Sequence, residues 1–198
     1  MRPIGSYQSI KVNNLSLNSK RPSVEKKEIK VECVHIICFG EICPGISDQQ
    51  KSENRKTLQQ IDALHKRAFS QWDQNPCPSC DIICIAYSKK GGRAYVCTAK
   101  DKNNDVIGYS LTMEGSSTSL PEIKYLAVDP KHQGSGVGRR ILEKTIETLS
   151  SVSGALGIEL SVPSSDIRRS QLLKKFYNDH GFVAIRKDSD GSHRMRRN

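Results

Sequence analysis

The sequence predicts a mixed α/β fold of the α+β kind, with one central sheet flanked by helices. Strand-like apolar runs alternate with three stretches of helical periodicity, and a glycine-dense loop separates one strand from the helix after it. At 198 residues, with 36% hydrophobic and 26% charged residues, the composition is ordinary for a soluble globular chain. We expect residues 28–198 to form one domain, preceded by a flexible basic arm over residues 1–27.

The elements predicted before the glycine loop are a strand, a helix and a meander. Ile29 to Phe39 is β-branched and apolar, which predicts a strand, and Gly45 to Asn54 is a polar connector. From about Lys56 the apolar residues fall on one helical face. Asn103-Asn104 supplies one of the turns between three strand-like runs. These runs are Ile82–Ser88, Ala94–Lys100 and Val106–Glu114.

The elements predicted around and after the loop alternate between strand and helix. Glu122–Val128 is an apolar strand, and Gly136–Leu149 is a helix with one apolar face. Asp166–Asp179 is a second helix, whose residues Ile167 and Tyr177 can share a face with other apolar side chains. The other predicted elements are an alternating strand at Leu156–Val162 and a final hairpin of Phe182–Arg186 with Ser192–Arg196.

The glycine loop is the most informative feature for function. Gln133, Gly134, Gly136 and Gly138 lie where the loop turns into a helix, so backbone N–H groups and the positive helix end can approach an anion. A P-loop would need Gly-Lys-Ser/Thr at its end, and a dinucleotide loop needs G-x-G-x-x-G, which is one residue longer than the spacing here. The pattern therefore favours another phosphate or pyrophosphate ligand.

The remaining arrangement, Gln133-Gly-Ser-Gly136-Val-Gly138 after the strand Leu126-Ala-Val128, fits Q/R-x-x-G-x-G/A. In this it resembles the acetyl-CoA pyrophosphate loop of the GNAT N-acetyltransferases. The resemblance implies a central mixed, mostly antiparallel sheet flanked by helices, with splayed strands at the acetyl-CoA site. It also implies an acetyl-CoA-dependent N-acyltransferase.

By the same resemblance, the backbone of the strand and of the loop would bind acetyl-CoA. The Leu126 N–H would polarise the thioester carbonyl, and Val128 would bond the pantetheine amides, while the loop would hold the pyrophosphate. The cofactor-binding residues implied are Leu126, Ala127, Val128, Gln133, Gly134, Ser135, Gly136, Val137, Gly138 and Arg139. No metal site is expected.

Two side chains are candidates for proton transfer. Tyr177 belongs to a Tyr-x-x-x-Gly-Phe pattern common in the family, which would place it beside the CoA sulfur as a proton donor. Glu122, at the start of the strand, occupies a position where some protein acetyltransferases of the superfamily place a glutamate base. The alternative for Glu122 is a surface carboxylate paired with Lys124 or Lys100. The chain departs from the family at Ser170, where asparagine is common.

Charge leaves the amine acceptor open. The net charge is +10, and residues 168–198 carry nine Lys or Arg against three acids. A basic surface favours CoA and could favour nucleic acid, although few aromatic residues interleave with the basic ones. A protein or peptide amine, a small-molecule amine and an aminoacyl-tRNA are all candidates, as is a CoA-binding module without turnover.

The cysteines predict an intracellular, reducing location. Seven cysteines, an odd number, and no apolar leader favour free thiols, and no apolar run is long enough to span a membrane. Cys77 and Cys80 have metal-ligand spacing, but a structural zinc needs four ligands, so we expect two free thiols. The Ser-rich, acid-poor arm also resembles an organelle transit peptide, in which arginine would be more frequent.

Overall fold

The computed structural model describes residues 29–35, 47–69, 94–114, 119–152, 157–164 and 166–198, and the single position Pro78. Within these ranges the chain forms seven strands, three α-helices and one short 3₁₀ helix. The elements are β1 (Lys30–His35), α1 (Asp48–Ala68), β2 (Ala94–Lys100), β3 (Val106–Met113), β4 (Glu122–Val128), the 3₁₀ helix (Pro130–His132), α2 (Val137–Val152), β5 (Ile158–Val162), α3 (Ile167–Asn178), β6 (Val183–Lys187) and β7 (His193–Arg197).

The strands form one sheet in the order β1-β2-β3-β4-β5-β7-β6. Every neighbouring pair is antiparallel except β4 and β5, which run parallel. This is the mixed, mostly antiparallel sheet that the family resemblance implies, and the predicted fold class is confirmed.

The parallel pair β4–β5 separates after two residues. The ladder joins Glu122 to Glu159 and Ile123 to Leu160, although β4 continues to Val128. On the other edge of β4, the pairing with β3 skips Lys124, so that residue is the extra one of a β-bulge. A bulge bends its strand, so β4 turns away from β5 and the sheet opens between them.

The helices cover opposite faces of the sheet. The apolar face of α1 packs in one cluster with Tyr125 and Ala127 of β4. The α2 and α3 helices instead share clusters with Ile123, Leu126 and Val128, the residues of β4 that point to the other side. The opening between β4 and β5 therefore has α1 on one side and α3 on the other.

Helix α1 begins earlier than the sequence pattern predicts. The segment expected to be a polar connector, up to Asn54, is helical from Asp48 onwards. The Ser47 hydroxyl accepts a hydrogen bond from the Gln50 backbone N–H at 3.2 Å, which caps the helix. The first turns lie largely in solvent and the buried face starts near Thr57, so apolar periodicity alone could not locate the start.

Helix α3 buries fewer residues than predicted. Ile167, expected on the apolar face, is 74% exposed, because Asp166 caps the helix and leaves Ile167 in a first turn that extends into solvent. The buried positions are Ser170 and Tyr177. After the helix, Gly181 has a φ of 83°, and the Phe182 N–H donates to the Tyr177 carbonyl at 3.1 Å.

The expectation of free thiols is wrong for two cysteines. Cys33 of β1 lies directly opposite Cys97 of β2, and the two form a disulfide. The antiparallel register creates this pairing, which the spacing of 64 residues does not reveal. Helix α2 packs above this pair.

Several predictions fall outside the described residues. They are the arm 1–27, the strand Ile82–Ser88, and Cys77 with Cys80. Across the described ranges, no group of three or more His, Cys, Asp or Glu side chains could hold a metal ion. Among the helices of those ranges, none has the length and apolarity to cross a bilayer.

Candidate acetyl-CoA site

The glycine loop has the backbone conformation that favours glycine. Gly134 and Gly136 have φ angles of 75° and 85°, in the left-handed region that other residues adopt at a cost. A Cβ at either position would meet no atom within 4 Å, so the conformation and not crowding calls for glycine. The N–H groups in the first turn of α2 have no acceptor within the helix, which leaves donors for an anion.

Asp129 anchors the start of this loop. Its carboxylate accepts from the Lys131 backbone N–H at 3.0 Å and from Arg67 Nη2 of α1 at 2.7 Å. Burial acts to raise the pKa of Asp129, but the Lys131 hydrogen bond and the Arg67 guanidinium outweigh it and hold the pKa below its usual value. Asp129 therefore stays ionised and ties α1 to the loop.

Three side chains of the loop and of the first turn of α2 bond other groups of the protein. Gln133 Nε2 donates to the Val128 carbonyl at 3.2 Å, and Ser135 Oγ donates to the His132 carbonyl at 2.5 Å. Arg139 Nε donates to Glu143, one turn further along α2, at 2.8 Å. These bonds stiffen the loop and leave its backbone as the surface that an anion would meet.

The other predicted cofactor-binding residues contribute mainly backbone. The side chains of Ala127 and Val137 are buried, with exposed fractions of 3% and 0%, and belong to the core. Gly138 faces the strand: a Cβ built there would lie 3.4 Å from Val128 Cγ2 and 3.9 Å from Phe176 Cζ. The loop, β4 and the end of α3 thus converge at Gly138.

A cavity of about 160 Å³ occupies the opening between β4 and β5. Its described lining comes from α1, the middle of β4, β5 with the residue after it, and α3. These residues are His65, Phe69, Ile123, Lys124, Tyr125, Leu126, Leu160, Ser161, Val162, Pro163, Arg169, Leu173 and Tyr177. Leu126, of the predicted cofactor-binding set, and Tyr177 therefore share one cavity.

Tyr177 is suited to hold a proton. Its side chain is 7% exposed, and its ring packs edge-on against Phe176 and Phe182, with ring centroids 5.1 and 5.8 Å away. Burial raises the pKa of Tyr177 to about 12, because a phenolate loses hydration there. The phenol therefore keeps its proton at neutral pH and can donate it.

Glu122 lies outside the described lining of this cavity. Its carboxylate accepts from Arg194 Nη1 of β7 at 2.5 Å, and the same arginine donates through Nε to Asp188 at 3.3 Å. The sequence alternative of a pair with Lys124 or Lys100 is therefore corrected to a pair with Arg194. That partner becomes visible only when β7 inserts beside β5.

A polar pair on the α1 side of the cavity was not predicted from the sequence. His65 is 2% exposed, and its Nδ1 lies 2.5 Å from the Tyr109 Oη of β3, a residue that is fully buried. The signal was present, because His65 follows Ile61 by four residues and so lies on the buried face of α1. His180, at the end of α3, places Nδ1 2.7 Å from the Phe176 carbonyl.

Comparison with known proteins finds a family match for part of the chain. Residues 90–184 match a family model described as an acetyltransferase (GNAT) domain. A search among curated protein sequences finds no significant match.

Solved structures share the fold. One is the PaiA N-acetyltransferase from Thermoplasma acidophilum in complex with coenzyme A, at 13% identity and a TM-score of 0.57, over 86% of this chain and 98% of that chain. Others are an acyl-CoA N-acyltransferase from Pseudomonas aeruginosa, at 14% identity and 0.60, and Escherichia coli ElaA, at 17% and 0.59, each over 86% of this chain and 100% of the other. The segment that matches the GNAT acetyltransferase family model includes the glycine loop and strands β2 to β5, and the chain shares the fold of these acetyltransferase structures.

Proposed function

We propose that this protein transfers an acetyl group from acetyl-CoA to a primary amine by direct attack in a ternary complex. The observation that carries the proposal is the opening between β4 and β5, which has a left-handed glycine loop at the end of β4 and a buried, protonated Tyr177 in its wall. Acetyl-CoA, when bound, supplies the activated thioester. The residues of the chain bind it, orient it and move protons.

The loop and β4 would hold the cofactor by backbone. The N–H groups around Gly136 and Gly138 would donate to the diphosphate, because they lie at the start of α2 where the helix dipole also favours negative charge. Beyond Ile123, β4 leaves its ladder with β5, so the Leu126 and Val128 backbone groups on that edge face the opening. In this proposal they bond the carbonyl and the amides of the cofactor arm.

Tyr177 would protonate the leaving thiolate. A general acid that is still protonated at neutral pH contributes roughly 10²–10⁴-fold to a rate. We expect Tyr177→Phe to lower kcat by about that factor, with the affinity for CoA unchanged, because the phenyl ring keeps its packing against Phe176 and Phe182.

Glu122 remains the base that the sequence predicts. Glu122→Gln tests it, because the amide keeps an acceptor for Arg194 without a carboxylate. If Glu122 is the base, Glu122→Gln should lower kcat/KM by about 10²–10⁴-fold. If Glu122 only orders the Arg194 side chain, the same variant should change kcat/KM little.

The acceptor is proposed to be a protein or peptide amine, with a small amine or an aminoacyl-tRNA as alternatives. Three of the four arginines in the hairpin β6–β7 bond acids: Arg186 and Arg194 bond Asp188, and Arg196 bonds Glu159. Part of the positive charge of this hairpin is therefore neutralised locally, which weakens the case for nucleic acid. We also propose an intracellular location, although Cys33 and Cys97 do not support it because they form a disulfide.

Thiol release from acetyl-CoA, measured across peptides, spermidine, an aminoglycoside and a charged tRNA, tests the function. An amine-dependent release that Tyr177→Phe abolishes supports the transferase. Binding of CoA without release for any amine would instead indicate the non-catalytic CoA-binding alternative.

A further inference from the structure

The opening between β4 and β5 has a closed end and an open end. The ladder between the two strands ends at the pair of Ile123 and Leu160, so the strands are still joined there, at the closed end. Tyr177 shares an apolar cluster with both residues and therefore lies at this closed end. The two strands run parallel, so the glycine loop that follows β4 and the start of α3 that follows β5 both belong to the open end.

Arg169 is the side chain near the start of α3 that lines the cavity. It lines the cavity together with Val162, the last residue of β5, and with Pro163, the residue after it. The lining residues of α3 are Arg169, Leu173 and Tyr177, which recur at intervals of four and so share one face of the helix. Eight residues correspond to about 12 Å along a helix axis. The face that α3 turns to the cavity therefore has a phenol at the closed end and a guanidinium at the open end.

The next residue, Ser170, does not point into the cavity. Asparagine is common at this position in the family that the chain resembles, but Ser170 is only 5% exposed and is not among the described lining residues. The polar side chain that the first turns of α3 offer to a ligand is therefore that of Arg169, which was not predicted from the sequence.

The guanidinium of Arg169 has no acidic partner among the described side chains. Asp166 accepts a hydrogen bond from the backbone N–H of Arg169 at 3.0 Å, which caps the helix. By contrast, Arg139 in the first turn of α2 bonds Glu143. None of the described lining residues of the cavity is acidic. A half-buried guanidinium in such surroundings favours an anionic ligand, to which it can donate two parallel hydrogen bonds.

We propose that Arg169 is a cofactor-binding residue that donates to the diphosphate of CoA from the α3 side of the opening. The inference rests on the proposed function. With the sulfur beside Tyr177 at the closed end, the pantetheine arm would extend towards the open end, where both the glycine loop and Arg169 lie. The loop would then bind the diphosphate through backbone amides and α3 through a charged side chain, so the two contacts together hold it from both strands of the opening.

Calorimetry with CoA, in the full chain and without an acceptor, tests this contact. Arg169→Gln should weaken the affinity for CoA by about 10–100-fold, as expected for the loss of hydrogen bonds between charged groups. Arg169→Lys keeps the charge without the planar fork and should weaken it less. Arg168→Gln is the matched control, because it removes the same charge from the same turn. Arg168 is exposed and outside the described lining, so this control should change the affinity little.

Dephospho-CoA shows which phosphate Arg169 contacts, because it keeps the diphosphate and lacks the 3′-phosphate. We expect Arg169→Gln to lose affinity for CoA and for dephospho-CoA by the same factor. A loss confined to CoA would assign the contact to the 3′-phosphate and overturn the inference. Denaturant titration without cofactor should give similar unfolding free energies for Arg169→Gln and Arg168→Gln. A much lower value for Arg169→Gln would indicate a structural role and would also overturn it.

Steady-state kinetics provide a second readout. The diphosphate is remote from the reacting carbonyl, so Arg169→Gln should raise KM for acetyl-CoA and leave kcat nearly unchanged, whereas Tyr177→Phe should lower kcat. A loss of kcat at saturating acetyl-CoA would contradict a contact with the diphosphate. Absence of CoA binding by the wild type would count against the proposed function itself. Binding by the wild type that Arg169→Gln retains in full would overturn only the role of Arg169.

Discussion

The residues that matter most in the proposed site act through conformation and burial. Gly134 and Gly136 supply left-handed backbone, which costs another residue roughly 1–2 kcal/mol. Tyr177 supplies a phenol that burial keeps protonated. The loop spacing singled out the glycines, and the family resemblance implied the role of the tyrosine; both roles stay predictions. It could not find the Arg194 partner of Glu122, because that contact requires β7 to lie beside β5.

Alkaline unfolding tests the state of Tyr177. Its folded pKa of about 12 lies above the value near 10 of an exposed phenol, so its contribution to stability is fully present below pH 10 and is lost as pH rises through 12. Between pH 9 and pH 11 the free energy of unfolding should fall by roughly 1 kcal/mol more in the wild type than in Tyr177→Phe. Denaturant titrations at both pH values measure this difference. Equal losses of unfolding free energy in the wild type and in Tyr177→Phe would contradict a raised pKa of the buried phenol.

At the scale of elements, the loop depends on α1. Asp129 caps the short 3₁₀ helix after β4 and bonds Arg67, which lies in the last turn of α1. Arg67 and Asp129 are 62 residues apart in sequence, and no local pattern predicts their contact. The strands β2 and β4 were predictable with their full bounds, because apolar runs and turns delimit them. The start of α1 was not, since Ser47 and not apolar periodicity decides it.

Two substitutions at Asp129 separate the cap from the ion pair. Asp129→Ala removes both and should lower the free energy of unfolding at pH 7 by about 1–2 kcal/mol. Asp129→Asn keeps an acceptor for the Lys131 N–H and should cost less, because half-exposed Arg67 contributes little.

The pH dependence of that difference has a defined sign. The pKa of Asp129 is lowered by folding, so its contribution is present above the unfolded value near 3.9 and is lost as pH falls through the folded value. Denaturation at pH 7 and at pH 3 should show the gap between wild type and Asp129→Asn shrinking at pH 3. A larger stability difference between the two proteins at pH 3 than at pH 7 would contradict the lowered pKa of Asp129.

At the scale of the whole molecule, the register of the sheet determines two features that sequence patterns do not predict. The fold class and the order of elements follow from periodicity. The separation of β4 from β5 depends on a bulge at Lys124 that no propensity marks, and the disulfide depends on Cys33 meeting Cys97 across β1 and β2. The family resemblance supplied the expectation of splayed strands; composition alone did not.

The disulfide should stabilise the fold measurably. Cys33 and Cys97 are 64 residues apart, and linking them restricts the unfolded chain. Replacing both by serine should lower the free energy of unfolding by about 2–4 kcal/mol. Denaturant titration of the double variant measures the loss, and intact mass before and after reduction establishes the bond. Equal stability of the two proteins would contradict the constraint.

The central claim is that the backbone amides of residues 133–139 bind the diphosphate of coenzyme A. Calorimetry with CoA on the wild type, Gly136→Ala and Gly136→Asp tests it directly, because both variants share the backbone strain and only one adds a negative charge. We expect binding by the wild type, weakened binding by Gly136→Ala and none by Gly136→Asp. Undiminished affinity for CoA in Gly136→Asp would contradict the account.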